Sequence, residues 1–111
     1  MIRWTTPTIT LTVEGVDLTE TDVYVSLEQG ALEMVKTGSA LIITTETHEQ
    51  VTDTVIIFTL TQEESAAFNL GKAVSVQVNY ISAQGVRDAT EVKTIGVMRN
   101  LLDEVIEYGQ A

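Results

Sequence analysis

Thr61-Gln62-Glu63-Glu64-Ser65-Ala66-Ala67-Phe68 reads as a short helix in a chain that otherwise alternates like strand. Thr61 followed three residues later by Glu64 is a capping box, in which each side chain satisfies the other's orphan backbone N–H. Glu63 and Glu64 fall in the first turn, where the helix dipole favours acids. Ala66, Ala67 and Phe68 tolerate helix, and Gly71 can close it at positive φ. Capping accounts for both acids, so these residues mark a corner of the fold and not a reactive site.

Strands flank that corner. Thr8-Ile9-Thr10-Leu11-Thr12-Val13 alternates threonine with apolar residues, the period of a strand with one buried face, and Pro7 precedes it where a missing N–H harms no ladder. Asp22 to Glu28 repeats the pattern with Val23, Val25 and Leu27 inward and Tyr24 outward. Gln29-Gly30 turns into Leu32–Thr37, and Gly38 turns into a strand over 40–46. A polar loop over 47–52 then leads to the nearly continuous apolar run Thr54–Leu60, which suits a central strand or a sheet corner. Beyond the helix, Val74, Val76, Val78 and Tyr80 share one face of a strand over 73–80, and residues 89–97 return antiparallel to it. About seven strands with frequent turns and no long helices predict an all-β, immunoglobulin-like antiparallel sandwich. The short helix sits where such sandwiches cross between sheets, with Phe68 plugging the end of the core.

At 111 residues the chain is read as one domain over 1–111. It contains no cysteine, which excludes disulfides, thiolate metal sites and a cysteine nucleophile. The first residues contain no apolar signal core, and no apolar run approaches the ~18 residues of a membrane helix, so neither a signal peptide nor a transmembrane segment is expected. Sixteen acids against six Lys and Arg give a formal net charge of -10. That sign disfavours nucleic acid and anionic membrane as partners. The acids are scattered, as on a solvated surface that keeps a β-rich chain soluble.

The last stretch reads as a second helix over 100–108. Asn100 is its N-cap, Leu101, Leu102, Val105 and Ile106 form one apolar stripe, and Gly109 stands at its C-terminal end. A helix of about eight residues is marginal in water, so this segment is expected to dock, on its own sandwich, on a neighbouring subunit or on another protein. Trp4, at the other terminus, caps the core or joins the same contact. The partner-contact candidates are therefore Trp4, Leu101, Leu102, Val105, Ile106 and Tyr108.

Chemistry leaves few marks. His48, the lone histidine, lies in the polar loop without a nitrogen or thiol partner nearby. No serine sits in a nucleophile-elbow context. Glu14, Asp17, Glu20 and Asp22 crowd the first connection but lack the ladder of a dedicated calcium loop. No catalytic residue, metal ligand or cofactor is expected, and the chain is read as a non-enzyme.

Residues 6–18 and 22–27, Leu60 to Glu64, Val76 to Tyr80 and Asn100 to Ile106 resemble small proteins encoded in phage and prophage structural clusters of Gram-positive bacteria. More loosely, Asp17-Leu18-Thr19 before a strand is similar to the immunoglobulin-like N-terminal module of phage baseplate upper proteins, although a single domain is expected here, without their receptor-binding or coiled-coil extension. The resemblance implies a virion structural or assembly module, in tail or baseplate, present in the host cytoplasm and then in the particle. Its partners would be copies of itself or other virion proteins. Charged residues such as Lys36, Lys93 and Glu91 would discourage uncontrolled edge pairing. The alternative is a carbohydrate or host-surface binding module on the same fold, with Tyr24 as the exposed aromatic.

Overall fold

The structure, a computed structural model, describes residues 1–107; Tyr108 and Gly109 lie outside the described residues. Among the described residues, eight strands form in chain order: β1 (Thr8–Val13), β2 (Asp22–Gln29), β3 (Leu32–Thr37), β4 (Ile42–His48), β5 (Val51–Thr59), β6 (Val74–Ile81), β7 (Arg87–Ala89) and β8 (Lys93–Ile95). One α-helix, α1 (Gln62–Ala67), joins β5 to β6, and a single 3-10 turn over Gly38–Ala40 precedes β4. β1-β5-β4 make one antiparallel sheet, and β3-β2-β6 make the other, with β7 and β8 both on the far side of β6. The strand order is that of an immunoglobulin-like sandwich without its first strand, and α1 makes the crossover between sheets.

Alternation sets the register. Val23, Val25 and Leu27 of β2 and Val74, Val76 and Val78 of β6 are buried, facing Ile9, Val13, Ile56 and Phe58 of the other sheet. A slip of one residue would turn every one of these side chains to water. The capping box forms as the sequence requires: Glu64 N–H donates to Thr61 Oγ1 at 3.1 Å, and Thr61 N–H to Glu64 Oε1 at 2.9 Å. Phe68 follows the helix, fully buried at the end of the core. Gly71, at φ 80°, turns the chain a few residues later, before β6.

Two buried polar side chains tie loops to this core. Thr54 Oγ1 accepts from Leu18 N–H at 2.9 Å and donates to the Val16 carbonyl at 2.7 Å, anchoring the β1–β2 connection. The acid Asp17 in that connection accepts from the backbone and hydroxyl of Thr19, and those bonds hold its pKa below the ordinary value. Gln29, only 7% exposed, closes a ring with Asn69: Asn69 N–H donates to Gln29 Oε1 at 2.6 Å and Gln29 Nε2 donates to the Asn69 carbonyl at 2.9 Å.

Three local readings need correction. The polar loop over 47–52 is a tight hairpin, with His48 opposite Val51 and only Glu49-Gln50 between them, both at positive φ (49° and 70°). Such a turn usually carries Asn-Gly, so Glu-Gln gave no signal for it. The strand expected over 89–97 is interrupted by a bulge. Ala89 pairs with Asn79 and Lys93 with Val76, so four steps on one strand match three on the other. The cause is Thr90, whose Oγ1 accepts from Val78 N–H while its own N–H donates to the Val78 carbonyl.

The third correction concerns the C-terminal segment, which is not helical over 100–107. Asn100 Oδ1 accepts from Leu102 N–H at 3.0 Å as an N-cap would, yet no helix follows. So short a helix has little stability of its own, Asp103 and Glu107 would repel across one turn, and long-range bonds hold the backbone in another path.

Candidate functional site

The described residues among those expected to make a contact, Trp4, Leu101, Leu102, Val105 and Ile106, lie at the α1 end of the molecule, held there by bonds between the two terminal segments and α1. Met98 N–H donates to the Met1 carbonyl at 2.7 Å, and Arg3 N–H donates to the Met98 carbonyl at 3.1 Å. Ile2 and Met98 form an isolated parallel bridge. Asn100 Nδ2 then donates to the Arg3 carbonyl at 3.0 Å. The N-terminal segment is fixed in turn to the helix. Arg3 donates to the Ala66 carbonyl at 2.6 Å, at the helix end where a cation suits the dipole, and Ser65 Oγ donates to the Thr5 carbonyl at 2.7 Å.

Gln62 completes the attachment. Its Nε2 donates to the Ile106 carbonyl and its Oε1 accepts from Ile106 N–H, both at 2.7 Å, so one side-chain amide pairs with one backbone residue as a neighbouring strand would. Residues 98–106 thus form a strap laid beside α1. Its apolar side chains do not turn into the sandwich. Leu101 is 88% exposed and Ile106 60%, and Leu102, Val105 and Met98 are also exposed. Asp103, Glu104 and Glu107 interleave with them, and Asp103 lies 3.9 Å from the Arg3 guanidinium.

Trp4 belongs to the same end but not to the exposed surface. It is half-buried at φ 66°, and its Nε1, like Arg3 Nε, is buried without a hydrogen-bond acceptor among the described residues. Such orphans are few in native proteins and call for an explanation. Gln62 and Gln29 were missed by sequence reasoning, and only their amide side chains hinted at backbone pairing.

A second surface lies on the outer face of the β3-β2-β6-β7 sheet. Tyr24, 41% exposed, borders a shallow concavity of about 410 Å³ with Ser26, Val35, Asn79, Ile81 and Arg87. Arg87 donates to Asn79 Oδ1 at 3.3 Å. Beside it, burial and the nearby Asp88 carboxylate push the Tyr80 phenol up from its ordinary pKa. Two tyrosine rings, Tyr24 and Tyr80, and a few polar groups line this concavity, and none of the described lining residues pairs a nucleophile with a base.

His48 sits at the β4–β5 hairpin with Glu46 at 3.7 Å, both well exposed. Among the described residues no group of three or more His, Asp or Glu is placed to hold a metal ion. Comparison with protein-family models, with curated proteins and with solved structures finds no match for the chain.

Proposed function

We propose that this chain is a non-enzymatic structural or assembly module of a phage or prophage particle, associated with tail or baseplate, which docks on a neighbouring subunit through the strap. The observation that carries the docking is the strap itself. Four large apolar side chains, Leu101, Leu102, Val105 and Ile106, are exposed on a backbone that is already fixed to the body. A fixed segment loses little further entropy on binding, which makes it a better contact than a loose tail. The interleaved acids call for an apolar groove with a basic rim. The assignment to a virion rests on the sequence resemblance, and with it the path from host cytoplasm to particle. The net charge of -10 keeps nucleic acid and anionic membrane off the list of partners.

The absence of cysteine gives a clean test. Leu102→Cys introduces a single attachment point for a photocrosslinker, with Gln84→Cys, in the turn before β7, as control. In purified protein, crosslinked multimers form from position 102 and not from 84. Equal yields from the two positions would remove the strap from self-assembly.

The Tyr24 concavity favours a second reading, a carbohydrate or host-surface binding module, because an exposed ring beside amide and guanidinium groups suits a sugar. Glycan-array binding that disappears in Tyr24→Ala would support it, and an array without signal would oppose it.

A further inference from the structure

A sandwich leaves strand edges whose unpaired backbone groups invite another strand, and folded proteins block them by a few known devices. Three of the four edges here are blocked. On β3, Lys36 points to the core side and pairs with Glu64 at 2.6 Å, an inward charge on an edge strand. The β6 side ends in two strands of three residues each, separated by the bulge at Thr90. Along β1, Thr90, Glu91 and Lys93 border the same narrow groove as Leu11, Thr12 and Val13, so the β7–β8 connection lies on its open side.

The fourth edge is β4, and it has none of these devices. Its seven residues, Ile42-Ile43-Thr44-Thr45-Glu46-Thr47-His48, include no Pro, Gly, Lys or Arg, and five are β-branched. Every one except Ile43 is exposed. β4 also runs past the end of its sheet: β1 stops at Val13, opposite Thr54, while β4 and β5 continue pairing as far as His48 and Val51. Because His48 and Val51 close a two-residue hairpin, they exchange both backbone bonds. Alternate residues then turn the other way, so Ile43, Thr45 and Thr47 aim their N–H and C=O groups at the open edge.

We propose that this edge pairs with itself: a second copy of the chain adds its own β4 antiparallel, about a two-fold axis through Thr45. That register uses the whole strand. It sets Thr45 against Thr45, Ile43 against Thr47, Thr44 against Glu46 and Ile42 against His48, with up to about six new backbone bonds and the outer faces of both sheets on one side. No two acids stand directly opposite. Glu46 meets its counterpart only on the diagonal, and each has His48 of its own strand 3.7 Å away. The interface is narrow, so the dissociation constant falls on the order of 100 μM. Two chains of charge -10 also repel, so added salt strengthens the pairing. This deepens the assembly reading with a second contact on residues the strap does not touch, and it stands if the strap makes none.

The test uses the full chain and Thr45→Pro, which removes the central N–H from an edge position where proline is tolerated. Light scattering after size exclusion, from about 10 μM to about 1 mM, shows the wild-type mass rising with concentration towards twice that of Thr45→Pro, and lying closer to that limit in high salt. Amide exchange gives a second readout that needs no variant. The Ile43, Thr45 and Thr47 amides slow at least about fivefold between the dilute and concentrated samples, while amides elsewhere on β4 do not change. Equal masses for the two proteins at every concentration, or edge amides whose exchange ignores concentration, would overturn the proposal. Leu102→Cys crosslinks lost while the Thr45 effect remains would sink only the strap.

Discussion

Gln29 and Gln62 make the same ring with one backbone residue each, Asn69 and Ile106, and the two rings have very different weight. Gln29 closes its ring inside the molecule and adds a bond to the Lys72 carbonyl at 3.0 Å. Gln29 itself is buried and its bonds are partly shielded from water, so a missing partner leaves polar groups poorly satisfied. Gln62 closes its ring in water, where solvent can replace each bond with little loss. The first therefore belongs to the fold and fixes the path from α1 to β6. The second sets the position of an exposed strap without being needed for the sandwich. Equal geometry does not mean equal energy, and burial decides which segment is framework and which is available for contact.

The largest effect is expected at the buried ring. Gln29→Ala should cost about 2–3 kcal/mol in chemical denaturation, because the Asn69 N–H and two carbonyls lose their partner together. A loss below about 0.5 kcal/mol would place the two rings on a par and break the comparison. Thr54→Val sharpens it with a near-isosteric change at a fully buried site. The Leu18 N–H is left unpaired, and stability should fall by about 1–2 kcal/mol, read from the same denaturation curves.

An intermediate effect is expected for the half-buried pair Lys36–Glu64. Burial of the Glu64 carboxyl opposes ionisation, but the Lys36 ammonium and the Thr61 N–H and hydroxyl outweigh it and hold its pKa below the ordinary value. A carboxyl whose pKa is depressed by folding contributes stability above its unfolded value of 4.5, and that contribution is lost as pH falls through the lower folded value. Glu64→Gln keeps a side chain that can still cap the helix. It should cost about 0.5–1 kcal/mol at pH 7, discounted for solvent screening, and the difference from wild type should shrink as pH falls below 4.5 and vanish once the folded carboxyl is protonated. A difference independent of pH would assign the effect to packing.

The smallest effect belongs to the exposed ring. Gln62→Ala should change global stability by no more than about 0.5 kcal/mol, while the Ile106 amide exchanges at least about tenfold faster. A large loss of stability would make the strap part of the fold.

Most of the framework was legible in local sequence. The β2 and β6 alternation, the Thr61–Glu64 box and the buried Phe68 follow from periods and caps that act over a few residues. The features that escaped act over distance or through unusual residues. The Gln29 and Gln62 rings join residues 40 and 44 apart, and no period announces them. The Glu49-Gln50 turn lacks glycine or asparagine, and Thr90 makes its bulge with a hydroxyl that reads like any strand threonine. At residues 100–107 the apolar spacing fits a helix, but bonds to Arg3 and Gln62 win over a propensity too weak for so short a segment. Of the contact candidates, Leu101, Leu102, Val105 and Ile106 are exposed, Trp4 is half-buried, and Tyr108 falls outside the described residues.

The most direct measurement compares the full chain with one ending at Arg99, by light scattering after size exclusion at two concentrations, with far-UV circular dichroism on both. The truncated chain should keep the β signal and lose part of the association shown by the full chain. Identical masses at both concentrations, or a truncated chain that no longer folds, would contradict the account of the strap as a contact surface carried by an independent sandwich.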